Sequence, residues 1–306
     1  MYEFYKKVLV TNGIPEFLIK YLECPSLLRL KRIGYFCGMD YASKDIYDFG
    51  EYISRYDHSF NVALITWNYT KDKRATLAAL FHDVATPCFS HVIDYMNKDY
   101  VDQESTEEYT DIIMKSDQYL LDCLKKDGIA VEEISDFKKY SIVDSSRPKL
   151  CADRLDGVIL TGLFWTKNLD KKDVVDILSH TTVFNNEDNR LELGFNNIEV
   201  ARKVMSVNDS IDLICHSNED NYMMELLSNL TRYIIENDYI TYDDLYRLNE
   251  DNIHDIFNMI EDDTFKVQYR LFKTIKLGEV PYQQMPNTKR RGLNLLVNGR
   301  RIYKHY

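Results

Sequence analysis

The sequence predicts a mainly α-helical fold with one small β-hairpin and a basic C-terminal appendage. Its 306 residues include only eleven glycines and six prolines, which disfavours a sheet-rich fold with many tight turns. Apolar side chains recur at helical spacing along most of the chain, and Val62, Ile65 and Tyr69 form one such set. Residues 181–196 hold the only convincing hairpin pattern, in which two short apolar runs flank an asparagine-rich turn.

Most predicted helices have an apolar stripe or a recognisable end. Residues 14–36 are predicted to form a helix pair, with Ser26 as the N-cap of the second helix. Pro87 ends the helix predicted over 73–85. The helix predicted over 105–126 opens on a pattern close to a capping box. The other predicted helices cover 58–69, 91–97, 149–166, 171–180, 196–216, 219–238, 243–248, 252–260 and 264–277.

The charge distribution divides the chain into an acidic body and a basic end. Residues 1–260 are expected to form one helical core, and residues 261–306 a C-terminal helix and basic tail that pack on it. The net charge of −11 argues against a protein that coats nucleic acid. The tail either contacts a nucleotide or polynucleotide, or docks on the chain's own acidic surface or a second subunit. After the last acidic residue, Glu279, the basic residues are Lys289, Arg290, Arg291, Arg300, Arg301 and Lys304.

The cysteines and the start of the chain predict a soluble cytoplasmic protein. Six cysteines are scattered without paired spacing, which favours reduced thiols over a disulfide framework or a zinc ribbon. The first residues lack the apolar region of a signal peptide. No run of 18 apolar residues exists, so no membrane association is expected.

Four candidate metal ligands, His58, His82, Asp83 and Asp153, follow in the order H…HD…D. Imidazole nitrogens and carboxylate oxygens suit several divalent ions, so one ion of Mn, Fe, Mg, Zn, Co or Ni is expected. Neighbours on a helix point about 100° apart and converge only at a helix end, which Pro87 supplies. Such an ion activates water for phosphoester hydrolysis. The alternative is that His82 caps a helix and Asp83 faces solvent.

Three segments resemble HD-domain metal-dependent phosphohydrolases. The segment Arg55-Tyr-Asp-His58-Ser resembles the one that carries their first metal-binding histidine. His82-Asp-Val-Ala-Thr-Pro-Cys-Phe-Ser-His91 resembles the signature of the dNTP triphosphohydrolase branch, which includes bacterial dGTPases and the vertebrate sterile-alpha-motif HD enzyme. Ala152-Asp153-Arg-Leu-Asp156 resembles a third segment of that branch. The resemblance runs from about residue 25 to 260 and implies an HD-domain helical fold.

The resemblance also implies roles for individual residues. His58, His82, Asp83 and Asp153 are the implied metal ligands. Arg55 and Arg154 are implied to bind substrate phosphates, and His91 and Asp94 match polar positions behind the ligands or beside the phosphates. His91 is also a candidate catalytic residue, and Thr86 and Asp156 are further candidates for polar groups behind the ligands. Asp57 and Asp156 are the alternative ion-pair partners of the two arginines, and His91 is alternatively a core histidine. His216 matches a downstream histidine of the branch.

Two family histidines are replaced. Thr86 stands where a histidine is expected three residues after the His-Asp pair, and Asp102 stands near the position of another. Asp102 or Glu104 is a candidate catalytic acid or base if burial raises its pKa. A solvated helix N-terminus is the alternative for both.

The predicted function is hydrolysis of a nucleotide, with a (deoxy)nucleoside triphosphate as substrate. Because of the replaced histidines, a nucleoside monophosphatase or a phosphodiesterase for a cyclic or dinucleotide signal remains an alternative. A nucleotide-binding regulatory module without catalysis is a second alternative. The resemblance further implies a homo-oligomer of two or more chains.

Overall fold

The computed structural model describes residues 2–10, 13–101, 109–283 and 288–303. It confirms a mainly α-helical fold with a small sheet. The helices are α1 (Tyr2–Leu9), α2 (Glu16–Ile19), α3 (Pro25–Arg29), α4 (Arg55–Thr70), α5 (Lys73–Phe81), α6 (Val92–Asn97), α7 (Thr110–Ser116), α8 (Gln118–Asp127), α9 (Glu132–Ser135), α10 (Ala152–Phe164), α11 (Lys171–His180), α12 (Ile198–Cys215), α13 (Asn218–Glu236), α14 (Glu250–Met259) and α15 (Asp263–Thr274). The strands are β1 (Thr181–Asn185), β2 (Leu191–Phe195), β3 (Leu296–Val297) and β4 (Arg300–Arg301).

Helices α4 and α5 form the central pair of the fold. A capping box begins α4, in which the Asp57 N–H donates to Ser54 Oγ and the Ser54 N–H donates to the Asp57 carboxylate, both at 3.2 Å. The carboxylate of Asp72 accepts from two N–H groups at the start of α5. Most side chains of both helices are buried, so the start of α4 and the end of α5 have fixed positions within the core.

Helix α5 ends at Phe81, four residues before the end predicted for the segment 73–85. The Val84 N–H donates to the Phe81 carbonyl at 3.1 Å, and the Thr86 N–H donates to the Asp83 carbonyl at 2.9 Å. These are tight-turn bonds, which replace the α-helical pattern before Pro87. The turn redirects the chain at the His-Asp pair.

Two further helix predictions are wrong in detail. Ser26 is not the N-cap of α3, because Cys24 occupies the cap and Pro25 the first helical position. Ser26 instead donates its N–H and hydroxyl to the Asp117 carboxylate, at 2.9 and 2.5 Å. Asp117 also accepts from the Leu120 N–H at the start of α8 and separates this helix from α7. The predicted helix 105–126 is therefore broken, and its residues 105–108 lie outside the described ranges.

The predicted hairpin is confirmed and belongs to a four-stranded sheet. Strands β1 and β2 pair antiparallel, with Thr181 opposite Phe195. Strand β3 adds parallel to β2, and β4 pairs antiparallel with β3 through the turn Asn298-Gly299, where both residues have positive φ. An added Cβ at Gly194 would lie 2.6 Å from the Leu296 carbonyl oxygen, so the close approach of β3 requires glycine. The C-terminal segment is thereby joined to the hairpin.

One hydrophobic cluster runs through the described ranges. It begins with Tyr5 of α1, includes Phe265 and Phe272 of α15, and reaches Leu293 and Leu295 before β3. Within these ranges, none of the helices combines the length and the apolar character that a bilayer crossing requires.

Glu250 is a fully buried carboxylate at the start of α14. Its two oxygens accept from the backbone N–H groups of Gly34 and Phe89, at 3.0 and 3.1 Å. Burial raises the pKa of Glu250 to about 8, and the neighbouring Asp40 carboxylate adds to the rise. Burial also raises the pKa of Asp40 to about 7. Both groups therefore favour the protonated form in the folded state.

We expect the free energy of unfolding to fall as the pH rises from about 5 to about 8. In this window the folded chain keeps protons that the unfolded chain has lost, so each such group costs up to about 1.4 kcal/mol per pH unit. Urea unfolding at several pH values measures the slope. Glu250→Gln should flatten it, whereas Glu236→Gln, at an exposed position, should not. Equal slopes for both variants would contradict the expectation.

Candidate metal centre

The four predicted ligands come from three places in the fold. His58 lies in the first turn of α4, and Asp153 in the first turn of α10. His82 is the C-terminal cap residue of α5, and Asp83 follows it in the turn before Pro87. Asp83 does not face solvent, as the alternative interpretation required, because it is 8% exposed and paired with Arg55. The turn after α5 brings both members of the His-Asp pair to one point.

The structure brings the four side chains together. One ligand atom from each of His58, His82 and Asp83 lies within 4.8 Å of the others. Asp153 Oδ1 lies 3.0 Å from His58 Nε2 and 3.7 Å from His82 Nε2. Asp83 Oδ2 lies 3.8 Å from His58 Nε2, and Asp83 Oδ1 lies 3.8 Å from His82 Nε2. Such separations suit donors that each lie about 2 Å from a shared ion.

The orientation of both histidines fits a metal ion. His82 Nδ1–H donates to the Ala79 carbonyl at 2.7 Å, which turns Nε2 toward the cluster. This Nε2 atom is buried and has no hydrogen-bond partner among the described residues. His58 Nδ1–H donates to Asp156 Oδ2 at 2.7 Å, so its Nε2 also faces the carboxylates. Two imidazole nitrogens and two carboxylates are a donor set that first-row divalent ions bind.

The charges of the cluster depend on one another. Burial would lower the pKa of His58, but its bonds to Asp153 and Asp156 raise it to about 10. Burial would raise the pKa of Asp83, but His82, Arg55 and His58 hold it well below its usual range. Because metal ligands must be deprotonated, a divalent ion would compete with the imidazole protons for this candidate site.

Asp156 supports His58 from behind. It is fully buried and accepts from the Tyr5 hydroxyl through Oδ1 and from His58 through Oδ2. The alternative of an ion pair between Asp156 and Arg154 is therefore wrong. The order of side chains is that of a carboxylate–histidine–metal arrangement, in which the outer carboxylate fixes the tautomer and the ring.

Arg55 pairs with a candidate ligand. Its Nη1 lies 3.0 Å from Asp83 Oδ2, and its guanidinium lies 5.1 Å from the centre of the Tyr35 ring. Asp57, the alternative partner, forms its ion pair with Lys6 at 2.9 Å. The Arg55 side chain lines a pocket beside the metal centre, as do His58 and Asp153.

Arg154 lines the same pocket but is held by its own loop. Its guanidinium donates to the carbonyls of Lys149, at 2.6 Å, and Ser145. It also pairs with Asp144 Oδ1 at 3.1 Å. Asp144 thus replaces the predicted alternative partner of Arg154.

The other predicted site residues lie in different places: two line the pocket, two are fully buried, and two are outside the described residues. His91 lines the pocket and donates Nδ1–H to the fully buried Asp94 at 2.8 Å. Thr86 is fully buried, and its hydroxyl has no hydrogen-bond partner among the described residues. His216 lines the pocket and donates Nδ1–H to the Asp212 carbonyl at 2.5 Å. The candidate catalytic residues Asp102 and Glu104 lie outside the described residues.

The pocket lining includes further cations from elsewhere in the chain, of which sequence reasoning missed Arg147. Arg147, in the loop before α10, lines it, and so do Lys289 and Arg291 of the basic tail. Other tail residues dock on the chain's acidic surface, since Arg290 pairs with Asp212 and Arg301 with Glu187 and Glu192. The basic run after Glu279 identified the tail residues as candidates. Nothing in the sequence around Arg147 indicated a role for it.

Relatives of the chain are distant. No model of a known protein family matches it. The uncharacterized protein YdhJ of Bacillus subtilis is 26% identical over 202 residues, which cover 65% of this chain and 59% of YdhJ. A protein named metal-dependent phosphohydrolase cns2, from Cordyceps militaris, is 26% identical over 132 residues, which cover 43% of this chain and 37% of cns2. The chain thus spans less than two thirds of either relative.

A solved structure shares the fold. A hypothetical protein from Aquifex aeolicus superposes with a TM-score of 0.62 at 16% sequence identity, over 85% of this chain and 71% of the other. The name of the fungal relative agrees with the HD-superfamily resemblance of the three sequence segments.

Proposed function

We propose that this protein is an HD-type, metal-dependent phosphohydrolase whose substrate is a (deoxy)nucleoside triphosphate. The observation that carries the proposal is the cluster of His58, His82 and Asp83, whose ligand atoms lie within 4.8 Å of one another. Asp153 adds a carboxylate oxygen within 3.7 Å of both Nε2 atoms. The distant similarity to a protein named as a metal-dependent phosphohydrolase supports the reaction class.

The proposed site divides the work between a metal ion and the chain. When bound, a divalent ion supplies a Lewis acid that polarises a phosphoryl oxygen and acidifies water. Asp156 and the Ala79 carbonyl hold the two imidazoles so that their Nε2 atoms would be available to such an ion. Arg55 balances the charge of Asp83 and borders the pocket where the phosphate enters. His91, oriented by Asp94, keeps Nε2 for proton exchange with the substrate.

The charge of the pocket supports a polyanionic substrate. The chain as a whole has a net charge of −11, yet the described pocket lining contains more cations than carboxylates. A cleft with one sign of charge concentrates ligands of the opposite sign. The cationic residues are Arg55, Arg147, Arg154, Lys289 and Arg291, and the carboxylates are Asp153 and Asp220. Arg55 and Arg154 are paired with Asp83 and Asp144, which do not line the pocket, so the excess of positive charge rests on the other three cations.

A nucleotide panel tests the function. The purified chain, loaded in turn with Mn, Fe, Mg, Co, Zn or Ni, is incubated with nucleoside triphosphates, monophosphates and cyclic dinucleotides. We expect metal-dependent release of phosphate, pyrophosphate or triphosphate from a triphosphate, and loss of turnover in chelator. Turnover of monophosphates or cyclic substrates alone would favour the second candidate, for which Thr86 at the family histidine position argues. Nucleotide binding without turnover under any metal would make the chain a regulatory module.

The proposal also includes a cytoplasmic location and assembly into a homo-oligomer. All six cysteines are free thiols, which fits the reducing cytoplasm. Assembly into a homo-oligomer remains a prediction from the family resemblance.

A further inference from the structure

Three residues of the C-terminal segment, Thr288, Lys289 and Arg291, form part of the pocket wall. The Arg291 N–H donates to Asp212 Oδ1 at 2.7 Å. Its carbonyl accepts from Arg147 Nη1 at 2.7 Å and from Asn208 Nδ2 at 2.6 Å. The backbone of Arg291 is therefore fully bonded, and these contacts fix the place of its side chain at the pocket. The same contacts join the tail to the loop that carries Arg147.

Two of the guanidinium groups at this wall have no carboxylate in direct ion-pair contact among the described residues. Neither Arg147 nor Arg291 forms an ion pair with a carboxylate among the described residues, and Arg291 Nε is buried without an acceptor. Burial, together with the charges of Arg154 and Arg291, lowers the pKa of Arg147 to about 10. Arginines of the tail outside the pocket behave differently, since Arg301 pairs with two glutamates. Asp153 and Asp220 act on these two guanidinium groups only at longer range, and like charges held together without a directly paired carboxylate favour a bound anion.

Thr288 is an independent indication that the pocket binds a ligand. Its side chain is 8% exposed and lines the same pocket, yet its hydroxyl has no hydrogen-bond partner among the described residues. Buried hydroxyls in folded proteins are almost always bonded. Unlike the unpartnered Thr86 hydroxyl, this one belongs to a residue that lines the pocket, where a ligand atom can be its partner. A hydroxyl donor beside guanidinium groups is suited to the oxygens of a phosphate.

We propose that Arg147, Arg291 and Thr288 form a second anion-binding subsite, which holds a phosphate group of the substrate other than the one at the metal centre. The pocket that they line also includes His58 and Asp153, so one molecule with several phosphates reaches both places. The identity of that molecule rests on the proposed function. The subsite itself rests on the residues of the pocket.

Calorimetric binding of inorganic tripolyphosphate tests the subsite. The full chain is titrated in chelator, so that only the protein's own side chains bind the probe. We expect Arg291→Gln to weaken binding about 10- to 100-fold and Thr288→Val about 10-fold. Arg300→Gln is the matched control, because Arg300 is an exposed arginine of the same segment without an ion pair among the described residues, and it should bind as the wild type does.

Several outcomes would overturn the subsite. They are absence of tripolyphosphate binding to the wild type, or equal affinities for the wild type and Arg291→Gln. Thermal melts verify folding, and Thr288→Val, which leaves every charge in place, decides the question if Arg291→Gln unfolds. The KM for the nucleotide is measured in parallel. Turnover with an unchanged KM in Arg291→Gln would reject the subsite and leave the proposed function standing. Arg291-dependent binding without any nucleotide turnover would reject the function and leave the subsite standing.

Discussion

Replacing His82 and Asp83 together by alanine is expected to abolish both metal binding and nucleotide hydrolysis. His82 contributes the inward Nε2 that has no partner among the described residues, and Asp83 contributes a carboxylate 3.8 Å from both imidazoles. Removing two of four ligands leaves too few donors to hold an ion, so we expect turnover to fall at least about 1,000-fold, as when a catalytic unit is removed. Elemental analysis of metal per chain and a phosphate-release assay measure the two effects.

The experiment must distinguish a loss of catalysis from a loss of stability in the His82–Asp83 variant. Asp83 pairs with Arg55, and both side chains are buried, so alanine at position 83 leaves a buried cation and costs about 3–5 kcal/mol of stability. Asp83→Asn keeps the shape and serves as a milder variant. His180 and Asp176 supply a matched control, because they form a more exposed histidine–aspartate pair on α11 at 3.2 Å. Their double alanine variant should keep wild-type turnover, and wild-type turnover in the His82–Asp83 variant would reject the proposed mechanism.

The helices of the fold were predictable because their signals are local. The α11 segment 171–180 and the hairpin within 181–196 have the predicted positions, since apolar periodicity and turn residues define them within the segments themselves. Asp117 shows where this reasoning stops. It separates α7 from α8 and bonds Ser26, which lies 91 positions away in the sequence. A bond of that kind leaves no periodic pattern near either residue.

The site was also predictable only where its signals are local in the sequence. The order H…HD…D and the break at Pro87 left the convergence of the His-Asp pair open, and the resemblance of the three segments decided the prediction in its favour. The partners of the arginines were not predictable, because proximity in sequence suggested Asp57 and Asp156. The fold instead brings Asp83 to Arg55 and Asp144 to Arg154.

Asp156→Ala is expected to have the second largest effect. This carboxylate is fully buried and holds both His58 and the Tyr5 hydroxyl, which lies 151 positions away in the sequence. Alanine leaves the imidazole and the phenol without their acceptor, so we expect the free energy of unfolding to fall by about 3–5 kcal/mol. Loss of the carboxylate behind a metal-binding histidine should also weaken metal affinity about 10- to 100-fold. Urea unfolding and metal titration measure the two effects.

Two milder variants distinguish positioning of His58 from simple packing. Asp156→Asn keeps the size of the side chain but removes its charge, whereas Tyr5→Phe removes only the second donor. If Asp156 positions the imidazole, Asp156→Asn weakens metal affinity while Tyr5→Phe leaves it near the wild-type value and costs about 1–2 kcal/mol of stability. If both variants lose stability equally and bind metal as the wild type does, Asp156 acts only as a buried hydrogen-bond acceptor. Only in the first case does the hydrogen bond at His58 Nδ1 determine how strongly its Nε2 binds an ion.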